Sequence, residues 1–370
     1  MSTVASVHEV PAAEWEHLAR PAGLYLSHRW LAGEEDDPTA TRAYALVRES
    51  DGTLLAAAPL HVVHDEPNDS YQPETVLPPH LRPRVIAGAR RGYHNAPLTA
   101  PGLAPGRRDA CLTRLRDAAR RFAGHHGTTH WWPYLTAEAA TRLAPLYPEP
   151  AHRLEDDALI PLPGTGVDDY VSSLPAQRRA GVRRERREFA ASGVEIRRQV
   201  LADCSEDAAV LLAGHQQDHG HGRDGIDAMT GLLKRQATAM GSEARVVATY
   251  DGDRMTGFCL SYHYGTRTWI RAVAFDRRHP TPHLYFNLMY YLPIEAAYAH
   301  GTTALHAGMA AIEAKRRRGA RISGLYALVD RPGAPLPAGP LGQFVEGGPL
   351  GAVRVLGDVL DPQVHRVREA

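Results

Sequence analysis

An internal repeat narrows the fold more than any other feature. Residues 44–61 read YALVRESDGTLLAAAPLH, two apolar strands about an Asp51-Gly52 turn, the signature of a tight β-hairpin. Residues 245–262, RVVATYDGDRMTGFCLSY, repeat the scheme around Asp251-Gly252, and a further strand follows at 266–275. Each hairpin then leads to a helix and another strand. In the first copy Leu112, Leu115, Ala119 and Phe122 recur at helical spacing before a strand at 128–135. In the second, Leu284, Leu288, Tyr291 and Ile294 mark a helix over 283–300, interrupted by Pro293, before a strand at 302–307. The pattern predicts an α/β protein of two similar halves, placed at 1–160 and 161–370.

A chain of 370 residues with 44% hydrophobic content has material for two domain-sized cores. Lys+Arg and Asp+Glu number 42 each, so no global field draws it to nucleic acid or membrane, and any such attraction comes from local clusters. Cys111, Cys204 and Cys259 are too scattered for a disulfide framework and lack metal-ligand spacing, which fits a reducing cytoplasm. Residues 1–11 have no export-signal pattern, and no stretch reaches the roughly 18 apolar residues of a membrane span. The expectation is a cytoplasmic protein without membrane contact. Lysine occurs only at Lys234 and Lys315, leaving arginine to carry nearly all positive charge.

Between the copies, 168–193 reads as a helical region in which Pro175 precedes a run closed by Gly193. Arg178, Arg179, Arg183, Arg184, Arg186 and Arg187 surround the single Glu185, with Arg179, Arg183 and Arg187 stacked at i, i+4. Such a stripe suits several phosphates, with salt-sensitive binding; a solvated face in an arginine-biased chain is the alternative. A second basic cluster runs from Lys315 through Arg318, with Arg321 beyond. Helices are expected at 205–215 and 227–240, and a Pro- and Gly-rich loop at 329–351 before a short strand at 352–356. His215, Asp218, His219, His221 and Asp224 match no zinc spacing, so no metal is expected.

The run Tyr170-Val-Ser-Ser-Leu174 with Arg178, Arg183 and Arg186, the second hairpin, LYFNLMYYLPIEAAYAHG from Leu284 and EAKRRRG from Glu313 resemble the tandem GNAT acyltransferases. More narrowly, they are similar to the Fem-like, aminoacyl-tRNA-dependent branch, over 168–329 and less fully over 42–135. The resemblance implies two mixed α/β GNAT-like units side by side, an acceptor cleft between them, and the acyl donor over the second.

Loop 275–286, FDRRHPTPHLYF, stands where CoA-binding relatives present a glycine-rich pyrophosphate cradle, yet it has no glycine and two prolines without N–H groups. In the first half Arg90-Arg91-Gly92-Tyr93-His94 has one glycine at the wrong spacing. The expected donor is therefore the acceptor end of an aminoacyl-tRNA acting as co-substrate, with no cofactor. A CoA thioester or acyl carrier protein is the alternative, and a catalytically silent GNAT-like binding protein is a third reading.

Amine attack on an ester or thioester requires loss of an amine proton, stabilisation of an oxyanion and protonation of the leaving atom. The resemblance places Lys315 near the reacting carbonyl and the donor's terminal phosphate. Asp276 and His306, at strand ends, are candidates for proton transfer; pairing of Asp276 with Arg277 or Arg278 and structural burial of His306 are the alternatives. Arg178, Arg179, Arg183, Arg187, Arg316, Arg318, Asn287 and Tyr285 are read as donor-binding. Trp132 and Tyr134 share one face of a strand and are read, with His219 and His221, as acceptor-binding. No long heptad stretch appears, which favours a small-molecule or peptide amine in specialised metabolism over a cell-wall lipid.

Overall fold

The computed structural model describes residues 1–218, 225–331 and 345–346. They form two compact units, Met1–Glu155 together with residues from Ser323 onward, and Asp156–Ile322.

The first unit contains strands β1 (Ser2–Val4), β2 (Ala40–Arg48), β3 (Leu54–Val63), β4 (Val85–Ala87), β5 (Leu98–Thr99) and β6 (His130–Thr136). Its helices are α1 (Ala12–Ala19), α2 (His28–Glu34), α3 (Pro73–Val76), α4 (Pro105–His125) and α5 (Ala137–Leu143). The strands lie in the order β1-β2-β3-β4-β6, antiparallel except for the parallel pair β4–β6. A parallel pair needs a long crossover, and α4 supplies it. This helix opens on Pro105, where the missing N–H has no intrahelical partner to lose. Its Leu112, Leu115 and Ala119 pack with Ala56, Ala58 and Leu60 of β3 and with Trp132, as their spacing predicts.

The second unit takes up most of β7 (His152–Pro161), then α6 (Val167–Ser173), α7 (Ala176–Ala191), β8 (Glu195–Val200), α8 (Ser205–Asp218) and α9 (Ile226–Met240). It continues through β9 (Ala244–Asp251), β10 (Arg254–Tyr264), β11 (Arg267–Phe275), α10 (Leu284–Phe286), α11 (Leu292–Ala299), β12 (Ala304–Gly308) and α12 (Ile312–Arg316). Its strands run β8-β9-β10-β11-β12-β7, again antiparallel except at one pair, β11–β12. Between α10 and α11 a π turn spans Asn287–Tyr291. Pro293 cannot donate to the carbonyl of residue 289, and the helix widens just ahead of it.

The long strand β13 (Arg321–Val329) returns to the first unit, where Leu325–Val329 pairs antiparallel with β6. Each unit thus has a main path of six strands in one order with its single parallel pair at the same place, a tandem GNAT-like fold, and the short β5 pairs with β3 beside the first path. The units do not divide at one point near residue 160, because β13 completes the first sheet from the far end of the described chain. No helix among the described residues is long and apolar enough to cross a membrane. The predicted strand at 352–356 lies outside the described residues.

Candidate functional site

In the second unit β11 and β12 pair only from Arg267 opposite Ala304 to Trp269 opposite His306; β11 then runs on to Phe275 while β12 ends at Gly308. Where they part lies His306. Its ring is fully buried, with Nε2 2.8 Å from Asp157 Oδ1 of β7 and its centroid 4.4 Å from that of Trp269. Asp157 is itself fully buried. A carboxylate at one ring nitrogen fixes the orientation of the imidazole. Sequence reasoning passed over Asp157, the last of three consecutive acids, Glu155 to Asp157, in a strand whose first half is largely charged.

Asp276, expected as a proton acceptor, is better described as an ionised cap. Its Oδ1 accepts from Arg278 Nε at 2.9 Å and from the Arg278 backbone N–H at 3.0 Å, and Arg254 reaches Oδ2. The hydrogen bond from Arg278, against the opposing effect of burial, holds the carboxyl down at about 2, too low to take a proton from an amine. The same residue closes the loop that follows. Its own N–H bonds Thr256 O, the His279 N–H bonds its carbonyl, and the Leu284 N–H bonds Thr281 O. With residues 280 and 282 both proline, few N–H groups remain to meet a pyrophosphate.

Lys315, one of the two lysines, is also turned inward. It is 2% exposed, and Nζ donates to the carbonyls of Gly308, at 3.0 Å, and Met309. The turn it spans is strained: Gly308, Ala310 and Ala311 have φ of 70°, 63° and 44°, a region costly for alanine. The ammonium braces this turn at the end of β12; the resemblance placed it near the reacting carbonyl and the donor's terminal phosphate.

The two basic clusters meet in this unit. Glu185 of α7 accepts from Arg318 Nη2 at 2.9 Å and from the Tyr291 hydroxyl. The Arg318 guanidinium lies 3.8 Å from the Phe286 ring centroid, and Tyr170 donates to the Arg318 carbonyl at 3.0 Å. Arg318 is therefore a buried structural cation and not a donor contact. Asn287, 2% exposed, bonds back to His283 O at 2.9 Å, and Tyr285 packs among Phe275, Phe286 and Tyr290. Both belong to the core. Arg179 caps the end of α6 through the carbonyls of Ser172 and Leu174. Arg178, Arg183, Arg187 and Arg316 remain exposed. The Glu313 carboxyl is lowered chiefly by the hydrogen bond from Arg317, with Arg316 and Arg178 adding to it, which places the start of α7 beside α12.

In the first unit Trp132 and Tyr134 do not share a face. Register slips between Tyr326 opposite Leu135 and Leu328 opposite Trp132, leaving an extra residue on β6, and Tyr134 takes φ 50°. Trp132 points into the α4 core and donates to the Tyr147 hydroxyl at 2.6 Å, whereas Tyr134 donates to Ser70 O and packs against Tyr71 and Tyr93. Periodicity of two cannot anticipate a bulge. Asn95 holds this irregular stretch. Fully buried, it donates from Nδ2 to Ala87 O (3.2 Å) and Pro133 O (3.0 Å), while Oδ1 accepts from the N–H groups of Ala89 and Ala96. The place where β4 and β6 part is thereby filled. His219 and His221 lie outside the described residues.

Paired units with one parting parallel pair each define a tandem GNAT-like fold, and the exposed basic face and the braced turn lie in the second unit. Residues 164–328 match the FemAB-like family, described as peptidoglycan biosynthesis/recognition. No curated protein sequence matches the chain. Similar solved structures include FemX (13% identity, TM-score 0.58, covering 88% of this chain and 97% of that one). Another is the C-terminal domain of a putative lysylphosphatidylglycerol synthetase from Agrobacterium fabrum (11%, 0.54, 88% and 93%). A tandem GNAT protein from the clavulanic acid biosynthesis pathway is a third (13%, 0.53, 90% and 99%). At these identities the likeness is one of fold.

Proposed function

We propose that this protein is a Fem-like aminoacyltransferase that takes its donor from aminoacyl-tRNA and forms an amide on a small-molecule or peptide amine. The observation that carries this reading is the Asp276 loop, which uses its own N–H groups and prolines where a CoA pyrophosphate needs donors. On α7 and α12, Arg178, Arg183, Arg187 and Arg316 offer an exposed basic face of the kind RNA phosphates reward. In the reaction the amine nitrogen bonds to the aminoacyl carbonyl carbon, the ester C–O bond breaks, and the amine proton ends on the ribose oxygen. Alignment of a neutral amine supplies much of the rate. The Lys315-braced turn shapes the end of β12 beside the parting strands, and the His306–Asp157 pair fixes the wall behind it.

The test is transfer from a pool of charged tRNA, with cell extract as the source of acceptor, with and without ribonuclease. Loss of product on ribonuclease treatment is expected; transfer that survives it refutes the reading. Strong thermal stabilisation by CoA thioesters would instead favour the acyl-CoA alternative, to which the parting of β11 and β12 is equally open.

A further inference from the structure

At the closed end of the β11–β12 fork, a chain of side-chain hydrogen bonds ties the two strands to their neighbours. His263 Nδ1 of β10 lies 2.9 Å from Thr268 Oγ1 of β11, and Thr268 Oγ1 lies 2.8 Å from Thr302 Oγ1, just ahead of β12. Thr302 Oγ1 in turn donates to the carbonyl of Ala297 in α11 at 3.0 Å. A carbonyl only accepts, so this last bond sets the direction of the others. Thr302 has spent its hydrogen and accepts from Thr268; Thr268 has spent its own and accepts from His263. The proton of neutral His263 is therefore on Nδ1, and Nε2 carries a lone pair.

His263 is 7% exposed, and its Nε2 is buried with no hydrogen-bond partner among the described residues. The ring of His300 lies against it, with the centroids 3.8 Å apart. His300 itself closes α11, its N–H bonding the carbonyls of Ala296 and Ala297. From β9, Arg245 also acts on the imidazole, while β11 and the turn before β12 present the hydroxyls of Thr268 and Thr302. Burial first, then His300 and Arg245, bring His263 down to about 4 from the ordinary 6.5. A proton gained at Nε2 would place a charge beside two basic groups, where it meets no acceptor.

We propose that His263, His300 and the two threonines form a proton-sensitive clasp: protonation of Nε2 parts the two rings and frees the start of β12 from β11. The backbone shows why the effect reaches β12. The Thr303 N–H bonds Thr266 O and the Leu162 N–H bonds Thr303 O, so the segment that Thr302 anchors is the one that seats β12. On the β11 side β12 is held by the short ladder from Ala304 to His306. His263 is not required to touch a substrate, and nothing in the proposal depends on the acyl donor. The neutral clasp contributes its full stability above about pH 6.5 and loses it as pH falls toward about 4.

Nitrogen NMR on the full chain with labelled histidines reads the tautomer at neutral pH. His263, recognised by its contact with Thr268, is expected to show a protonated Nδ1 and a bare Nε2. Hydrogen–deuterium exchange then follows residues 300–306, corrected for the intrinsic pH dependence of exchange. From about pH 7.5 to about pH 5 that segment is expected to open at least about tenfold more often in the wild type. His263→Asn keeps a donor for Thr268 but takes up no proton, so its segment should not respond. Should that variant fail to fold, His300→Ala replaces it, and loss of the second ring should make the acid response shallower. The proposal is overturned by a proton on Nε2 at neutral pH, by wild-type protection that does not change with acid, or by a variant that responds as the wild type does.

Discussion

Glu185, the one acid within the arginine run of α7, accepts from Arg318 Nη2 at 2.9 Å, and this pair locks the two basic segments together. The side chains are 7% and 16% exposed for Arg318 and Glu185, so losing one partner strands the other in a poorly solvated place. Arg318→Ala is expected to destabilise the chain by about 3 kcal/mol, the lower end for a broken buried pair, and to quench no exposed charge of the basic face. Urea unfolding checks the stability, and an unchanged midpoint refutes the locking role.

The exposed arginines should behave in the opposite way. Arg183→Glu with Arg187→Glu is expected to change stability by no more than about 0.5 kcal/mol per site. The same variant should weaken tRNA binding and flatten the dependence of log affinity on log salt by roughly one unit per lost phosphate contact. Fluorescence anisotropy across a salt series measures both; an unaltered slope would assign the stripe to solvent alone.

Asp276 predicts an acid-side effect. Its folded value of about 2 lies below the ordinary 3.8, so the ionised form stabilises the fold above about pH 3.8, and that contribution disappears as pH falls through about 2. Wild type should therefore be more stable than Asp276→Asn near neutrality, with the gap closing between about pH 4 and pH 2. Arg254 and Arg278 are 53% and 82% exposed, so added salt should narrow the gap as well. A gap that persists at low pH would contradict the assignment.

Asn95 and Gly88 make a packing prediction. A Cβ on Gly88 would fall 2.0 Å from Asn95 Oδ1, at a φ of +91° that alanine avoids. Gly88→Ala should unfold at markedly lower denaturant than Gly106→Ala, where a Cβ would meet nothing within 4 Å and a helix gains from alanine. Asn95→Ala should cost about 3 kcal/mol or more, because several buried backbone groups lose their partner at once. Equal midpoints for the two glycine variants would show that the Asn95 clamp is dispensable.

The duplication was legible because each hairpin carries an Asp-Gly turn between alternating apolar strands, and a local signal of that kind survives any tertiary context. Glu185 and Lys315 could be singled out by rarity, yet rarity does not say which way a side chain turns: both face inward. Arg318, Asn287 and Tyr285 read as surface contacts because a charge, an amide and a hydroxyl suggest solvent, while ring packing and backbone carbonyls hold them in the core. The Trp132 and Tyr134 pairing failed at a bulge, which depends on β13, a strand almost two hundred residues further along. Asp157 was hidden for a related reason, since its meaning comes only from His306 on another strand.

The late arrival of β13 in the first sheet also bears on how the polypeptide is made. β6 leaves the ribosome long before β13, and at elongation rates of about 5–20 residues per second the wait is roughly 10 to 40 s. Through that interval the Leu135 edge has no neighbour, and the whole second unit emerges meanwhile. An unpaired strand edge is a template for wrong pairing, so a gene fragment ending near residue 160, which lacks β13, is expected to be more prone to association than the full chain.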